Sequence, residues 1–191
     1  HGNLSALHAV QRDCKKEIFN GVILLGDCID YGMRSNEVIE ELRQLESCSW
    51  NGKIMVNLWG NHEKLMRDKD LEHLSSDRGR VMANYTRRHL TQTTLDYIEN
   101  RMNPNGYAEF NLEGMDAFAV HGSCEDYYWK AILPDNLHGD YRKHSIVFSG
   151  HSHYPHCFTK FYDVENEVLR NKKAVIFINP GCVGQPRNQN P

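Results

Sequence analysis

Gly21-Val22-Ile23-Leu24-Leu25-Gly26-Asp27 is the stretch that decides the fold. Four consecutive aliphatic residues without polar alternation read as a strand buried on both faces, the habit of a sheet covered by helices. The run stops on a glycine followed by a carboxylate. On its N-terminal side, Leu4, Leu7, Val10 and Cys14 recur at helical spacing behind Asn3, a suitable N-cap. On its C-terminal side, Val38, Ile39, Leu42 and Leu45 form a second helical stripe with Asn36 as its expected cap. Lys53 to Trp59 then reads as a second strand ending at Gly60-Asn61-His62. Helix, strand, helix and strand in succession predict an α/β core.

Further along, Lys64 to Leu90 turns polar and irregularly helical, with seven Lys or Arg against four Asp or Glu. A helix is expected over Thr91 to Arg101, followed by the turn Asn103-Pro104-Asn105-Gly106. Strands are expected at Ala117–Val120, Ile146–Phe148, Phe158–Val164 and Val175–Ile178, and a short helix at Tyr127–Leu133. No internal repeat or linker interrupts this order, so residues 1–191 read as one domain. The strand-rich second half suggests a second sheet packed on the first.

Composition narrows the function. With 191 residues, 40% hydrophobic and 25% charged, the chain has the make-up of an ordinary globular domain. A net charge of −3 argues against a general nucleic-acid binder and leaves small phosphorylated substrates open. No apolar run approaches the roughly 20 residues that cross a bilayer, and no signal peptide is evident. The cysteines Cys14, Cys28, Cys48, Cys124, Cys157 and Cys182 form no C-x-x-C pair. They read as reduced thiols of a cytoplasmic protein.

The chemistry lies at the strand ends. Leu25-Gly26-Asp27, Trp59-Gly60-Asn61-His62, Val120-His121-Gly122 and Ser149-Gly150-His151-Ser152-His153 each close an apolar run with a glycine beside a metal-capable side chain. Loops diverge beyond the carboxyl ends of strands, so such residues can gather in one cleft. Taken singly, a Gly-Asp is usually a turn, and a histidine after a strand is usually a packing residue. His151 and His153 carry more weight, because alternate residues of an extended segment share a side. The four segments together are hard to obtain by chance. Imidazole with carboxylate suits Zn, Mn or Fe, whereas Mg and Ca favour oxygen alone. A bridging Asp would hold two ions about 3.5–4 Å apart.

These segments resemble the calcineurin-like metallophosphoesterases, whose pattern is D-x-H, G-D, G-N-H, a histidine before glycine, and G-H-x-H. His1-Gly2-Asn3, Gly26-Asp27, Gly60-Asn61-His62-Glu63, His121-Gly122 and Gly150-His151-Ser152-His153 match it across the whole chain. The opening heptapeptide and Asn179-Pro180-Gly181-Cys182-Val183-Gly184-Gln185-Pro186-Arg187 resemble the compact bacterial and archaeal branch of predicted phosphodiesterases. The resemblance implies a four-layer α/β/β/α sandwich of two mixed sheets flanked by helices. It implies hydrolysis of a phosphodiester or phosphomonoester by a hydroxide bridging two divalent transition ions, Mn before Fe, Zn or Ni. His1, Asp27 and His153 would hold the first ion. Asp27 would bridge to the second, completed by Asn61, His121 and His151. His62 would stabilise the transition state or protonate the leaving oxygen, and Asp30 would orient it.

Two departures stand out. The aspartate of D-x-H has no counterpart, since the chain opens on His1 without a Met, and both ends read as cut from something longer. Tyr31 stands where the serine/threonine phosphatases of the superfamily carry a phosphate-gripping arginine, which favours a diesterase, although Glu63 follows the phosphatase form. The competing readings are a protein phosphatase, a dinucleoside polyphosphate hydrolase, a nuclease using Arg78, Arg80, Arg87 and Arg88, and a binding scaffold on a retired enzyme fold. Tyr127, Tyr128 and Trp129 either line the pocket or pack. Cys28 and Cys124 read as small fillers. The sequence leaves a homodimer open.

Overall fold

In the computed structural model, the described residues are 1–17, 19–47, 53–69, 73–74 and 76–188. The elements in chain order are α1 (Leu4–Cys14), β1 (Gly21–Leu24), α2 (Ser35–Ser47), β2 (Lys53–Asn57), α3 (Asn61–Asp68), α4 (Asp77–His89) and α5 (Gln92–Arg101). They continue with β3 (Tyr107–Leu112), β4 (Met115–Val120), β5 (Ile146–Ser149), β6 (His156–Asp163) and β7 (Lys172–Asn179). Asn3 caps α1 as expected, its Oδ1 accepting the Ala6 N–H at 3.1 Å.

The strands form two sheets. β1 and β2 pair in parallel. The other sheet has the order β3-β4-β5-β7-β6 and is mixed, with a parallel β4-β5-β7 centre and antiparallel edges. Alternation along the strands sorts the side chains into layers. Val56, Leu58 and Ala119 are buried between the sheets, with Ile23, Leu25, Phe110 and Phe148 against them. The opposite face of the larger sheet carries Phe118, Val120, Val147, Val175 and Phe177. The helices pack their stripes together around Ile29, Ile39, Trp59, Leu65 and Ile98. Burying one such large side chain contributes roughly 1.5–3 kcal/mol.

Among the described residues, the two sheets and five α-helices agree with the expected fold class. Its outermost layer differs in detail. Over the larger sheet lies the irregular chain 122–145, which inserts Ile132 and Tyr141 into that core. The helix expected at Tyr127–Leu133 is absent from it. The Asp126 carboxylate accepts the N–H groups of Tyr128 and Trp129 at 3.0 Å each, an Asx-type turn that competes with a helix.

Asn36 also differs from expectation. α2 starts two residues earlier than that cap requires, with the Val38 N–H on the Arg34 carbonyl at 3.0 Å. Asn36 then bridges elements: it accepts from Thr91 N and Thr94 Oγ1 and donates to the His89 carbonyl. β3 is a strand without a clear sequence signal, because its half-exposed sequence alternates weakly. It joins β4 through Glu113 (φ 50) and Gly114 (φ 89), the two positive φ values of a tight hairpin turn. The five described cysteines are free thiols, and Cys48 lies outside the described residues. Among the described residues, no helix is long and apolar enough to cross a membrane.

Candidate metal centre

Strands β1, β2, β4 and β5 deliver their C-terminal residues to one place, and close backbone contact makes this possible. A Cβ on Gly26 (φ +90) would lie 2.3 Å from Gly60 N, and one on Gly60 would lie 2.1 Å from Asp27 Oδ1. Only glycine at both positions lets the first two loops touch. Glu63 then fastens them. Its buried carboxylate accepts from Gly60 N (2.7 Å), Asp27 N (2.8 Å), Cys28 N (2.7 Å) and Ile29 N (3.3 Å). Burial and the Asp27 charge push the Glu63 carboxyl up, while these N–H groups pull it down. The balance is upward, although four donors facing one carboxyl favour its ionised form.

The side chains so gathered meet lone pair to lone pair. His121 Nδ1 donates to the Leu25 carbonyl at 2.6 Å, leaving Nε2 bare. That Nε2 faces Asn61 Oδ1 at 2.9 Å and Asp27 Oδ2 at 3.3 Å. His151 Nδ1 lies 3.0 Å from the same Asn61 oxygen. On the other side of Asp27, His1 Nδ1 reaches the Ile29 carbonyl at 3.3 Å and His153 Nδ1 the Gln185 carbonyl at 2.8 Å. Their two Nε2 atoms then face each other at 3.0 Å, and His1 Nε2 is 3.5 Å from Asp27 Oδ2. Acceptors at such distances repel unless a cation lies among them.

Electrostatics agree with a cation site. Burial, reinforced by His121, lowers His151 to about 4. Burial and Arg187 lower His153 to about 4. Both rings are therefore neutral, as metal ligands must be. Burial would raise Asp27, but His121, His62 and the His62 N–H outweigh it and bring the carboxyl down to about 2. Ligand atoms of Asp27, His121 and His151 lie within 4.8 Å of one another, as do those of His1, Asp27 and His62, and of His1, His153 and Cys182. The residues present fit divalent ions.

His62 borders the ligand group but is held differently. Its Nδ1 is 2.7 Å from Asp30 Oδ2, so only Nε2 is free. Burial opposes protonation, yet Asp27, the Asp30 hydrogen bond and the Asp30 and Glu63 charges raise its pKa. Asp30 is itself fully buried and accepts from Tyr31 N at 2.8 Å and Thr86 Oγ1 at 3.2 Å. The Tyr31 ring leans on His62 and His1, with centroids 4.7 Å and 4.8 Å away.

All eight residues singled out (His1, Asp27, Asp30, Asn61, His62, His121, His151 and His153) are thus brought together. The expected mechanism for the His151–His153 pair does not hold. They leave β5 with φ 58 and φ 63, not as an extended strand, and face opposite sides of Asp27. Asn179 pins this turn, donating to the Gly150 carbonyl at 2.8 Å and to Ser152 Oγ at 3.1 Å. Left-handed backbone also recurs at Asp27, Asp30 and Tyr31, costing of order 1–3 kcal/mol each. Glu63, Thr86, Asn179 and Cys182 join the site without a local sequence pattern that marks them as functional. The nearest to one is Asn179-Pro180-Gly181, one more strand ending near a glycine. Of the aromatic cluster, Trp129 meets His151 edge-on at 6.3 Å, Tyr127 packs on Tyr107 at 4.3 Å, and Tyr128 hydrogen-bonds the Pro104 carbonyl.

Two packed sheets, with helices over one of them and a buried His, Asn and Asp donor set at the strand ends, define a metal-binding α/β class. The chain belongs to the calcineurin-like phosphoesterase superfamily, whose domain profile matches residues 1–191. It is 26% identical to the uncharacterized protein MJ0912 of Methanocaldococcus jannaschii, over 98% of this chain and 74% of that protein. Among solved structures, a metallophosphoesterase from Sphaerobacter thermophilus is similar with a TM-score of 0.64 and 26% identity, covering 100% of this chain and 76% of that one. The hypothetical protein PH1004 from Pyrococcus horikoshii shares the fold, with a TM-score of 0.69 and 20% identity over 97% and 74% of the respective chains. Membership carries the general activity of a metal-dependent phosphoesterase, a hydrolase of phosphate esters that uses divalent ions.

Proposed function

We propose that this chain is a two-metal phosphodiesterase. The observation that carries the reading is the convergence of acceptors on both sides of Asp27, with the Asp30-bound His62 beside them. Asp27, Asn61, His121 and His151 would hold one ion, and Asp27, His1 and His153 the other. Such ions polarise phosphoryl oxygens and lower the pKa of water. The protein's own residues do the rest. His62, its tautomer fixed by Asp30, presents an Nε2–H that can protonate the leaving oxygen. Glu63 keeps the Asp27 and Asn61 loops in register.

Tyr31 supports a diester over a monoester. A monoester dianion calls for more positive charge at phosphorus, and the side chain touching both His1 and His62 is a neutral phenol. Metal-reconstituted protein should cleave an aryl phosphodiester faster than the matching monoester, with two transition ions counted per chain. Fewer than one ion per chain and no hydrolysis would overturn this reading in favour of a binding scaffold. Manganese is the ion to try first.

A further inference from the structure

Beside the metal centre lies a second, polar cleft of about 730 Å³. Its walls come from the turn before α1, the Tyr31–Arg34 loop, the start of α4 and the C-terminal segment around Arg187. Three arginines (Arg34, Arg78 and Arg187) line it, and among the described residues no carboxylate does. In a chain of net charge −3 that is a local reversal of sign. Arg34 has a neighbour in Glu37 at 3.3 Å, but this pair is solvent-exposed and holds the guanidinium only weakly. The cleft and the centre share a wall. Tyr31 turns its ring to His1 and His62 and also lines the cleft, where the Arg187 charge acts on its hydroxyl.

We infer that this cleft is a subsite for a second phosphate group of the substrate, with Arg34, Arg78 and Arg187 as its cationic lining. Guanidinium forks match phosphate oxygens in shape and charge, and several around one cleft favour a polyanion over a single ester. The starts of α1 and α4, with Ser5 and Ser76, face the same space and add partial positive charge. The substrate class this implies is a small phosphodiester or phosphoanhydride carrying another phosphate on the Tyr31 side. The inference deepens the two-metal reading and rests on it for the scissile bond, but not for the anion site.

Two measurements separate the two ideas. On metal-loaded protein, kcat/KM is compared for a plain aryl phosphodiester and for one bearing a terminal phosphate. Arg78→Glu and Arg34→Glu should each lower the ratio of phosphate-bearing to plain substrate by roughly tenfold to a hundredfold. An unchanged ratio overturns the subsite. On metal-stripped protein, inorganic tripolyphosphate should bind by calorimetry, salt-sensitively, and more weakly by a similar factor in both variants. This arm stands even if neither ester is cleaved, a result that would sink the phosphodiesterase reading alone. Equal binding by wild type and variants overturns the subsite. So does a single-stranded oligonucleotide that outcompetes tripolyphosphate, which would make the arginines part of a nucleic-acid track.

Discussion

At 2.7 Å from Asp30, the His62 imidazole is oriented through one nitrogen and free at the other, and the carboxylates around it favour its protonated form. If the proton serves the leaving oxygen, activity falls as pH rises through the His62 pKa. Asp30→Asn removes a charge that raises that pKa, so the basic limb of the kcat/KM profile should move to lower pH. A limb that stays put would show that Asp30 does not act through His62. His62→Ala should keep its metal and lose roughly 10²–10⁴-fold in rate. Parallel loss of metal would make His62 a ligand, as its closeness to His1 and Asp27 permits. Asp27→Asn should behave oppositely. It weakens the one oxygen donor that faces both His1 and His121, so bound metal per chain should drop by emission spectrometry. The residues facing the centre were legible because strand-end glycines announce them. Those behind them were not, since Thr86 lies 56 positions from the Asp30 it supports and no local pattern joins the two.

Among elements, the first turn of α3 carries the most. Its N-terminal residues are Asn61 and His62, and Glu63 ties that turn to the Gly26–Ile29 loop through three backbone donors, accepting a fourth from the Gly60 N-cap. Glu63→Ala would leave those N–H groups buried without acceptors, at about 3 kcal/mol or more in total. A chain of this size should then melt roughly 6–12 °C lower, read by calorimetry at fixed metal concentration. A Tm within a degree or two of wild type would mean water replaces the carboxylate at no cost. Elements with a strong apolar period, such as α1, β1 and β5, could be read directly from the chain. Short-range side-chain bonding defeated the reading elsewhere, where Asp126 turns the chain at Tyr128 and Asn36 serves α5 instead of capping α2. β3 hid for another reason: Tyr107–Leu112 packs one face only, and its neighbour β4 supplies the order its own sequence lacks.

Across the whole molecule, both sheets and all four strand-end loops close on a set of like acceptors, so the fold holds an electrostatic strain that a cation relieves. The same groups set the acid response. His151 and His153 are held near 4 in the folded protein, below the ordinary 6.5, so the unfolded chain binds more protons as the medium is acidified. Their neutral packing therefore favours folding above about 6.5, and that advantage is lost as pH falls from 6.5 toward 4. Asp27, depressed to about 2, loses its share only at lower pH still. His62 works in the opposite sense, its raised pKa helping the fold on the acid side, one group against two. Metal-free protein should thus lose Tm steadily between pH 6.5 and 4. Saturating Mn²⁺ should raise the neutral-pH Tm, since a ligand at 100 times its Kd adds about 2.7 kcal/mol. The gain should shrink on acidification as protons compete for the histidine nitrogens. Scanning calorimetry with and without chelator at a series of pH values reads both effects. A metal-induced shift that is the same at pH 7 and pH 5 would mean that histidine nitrogens do not hold the ions.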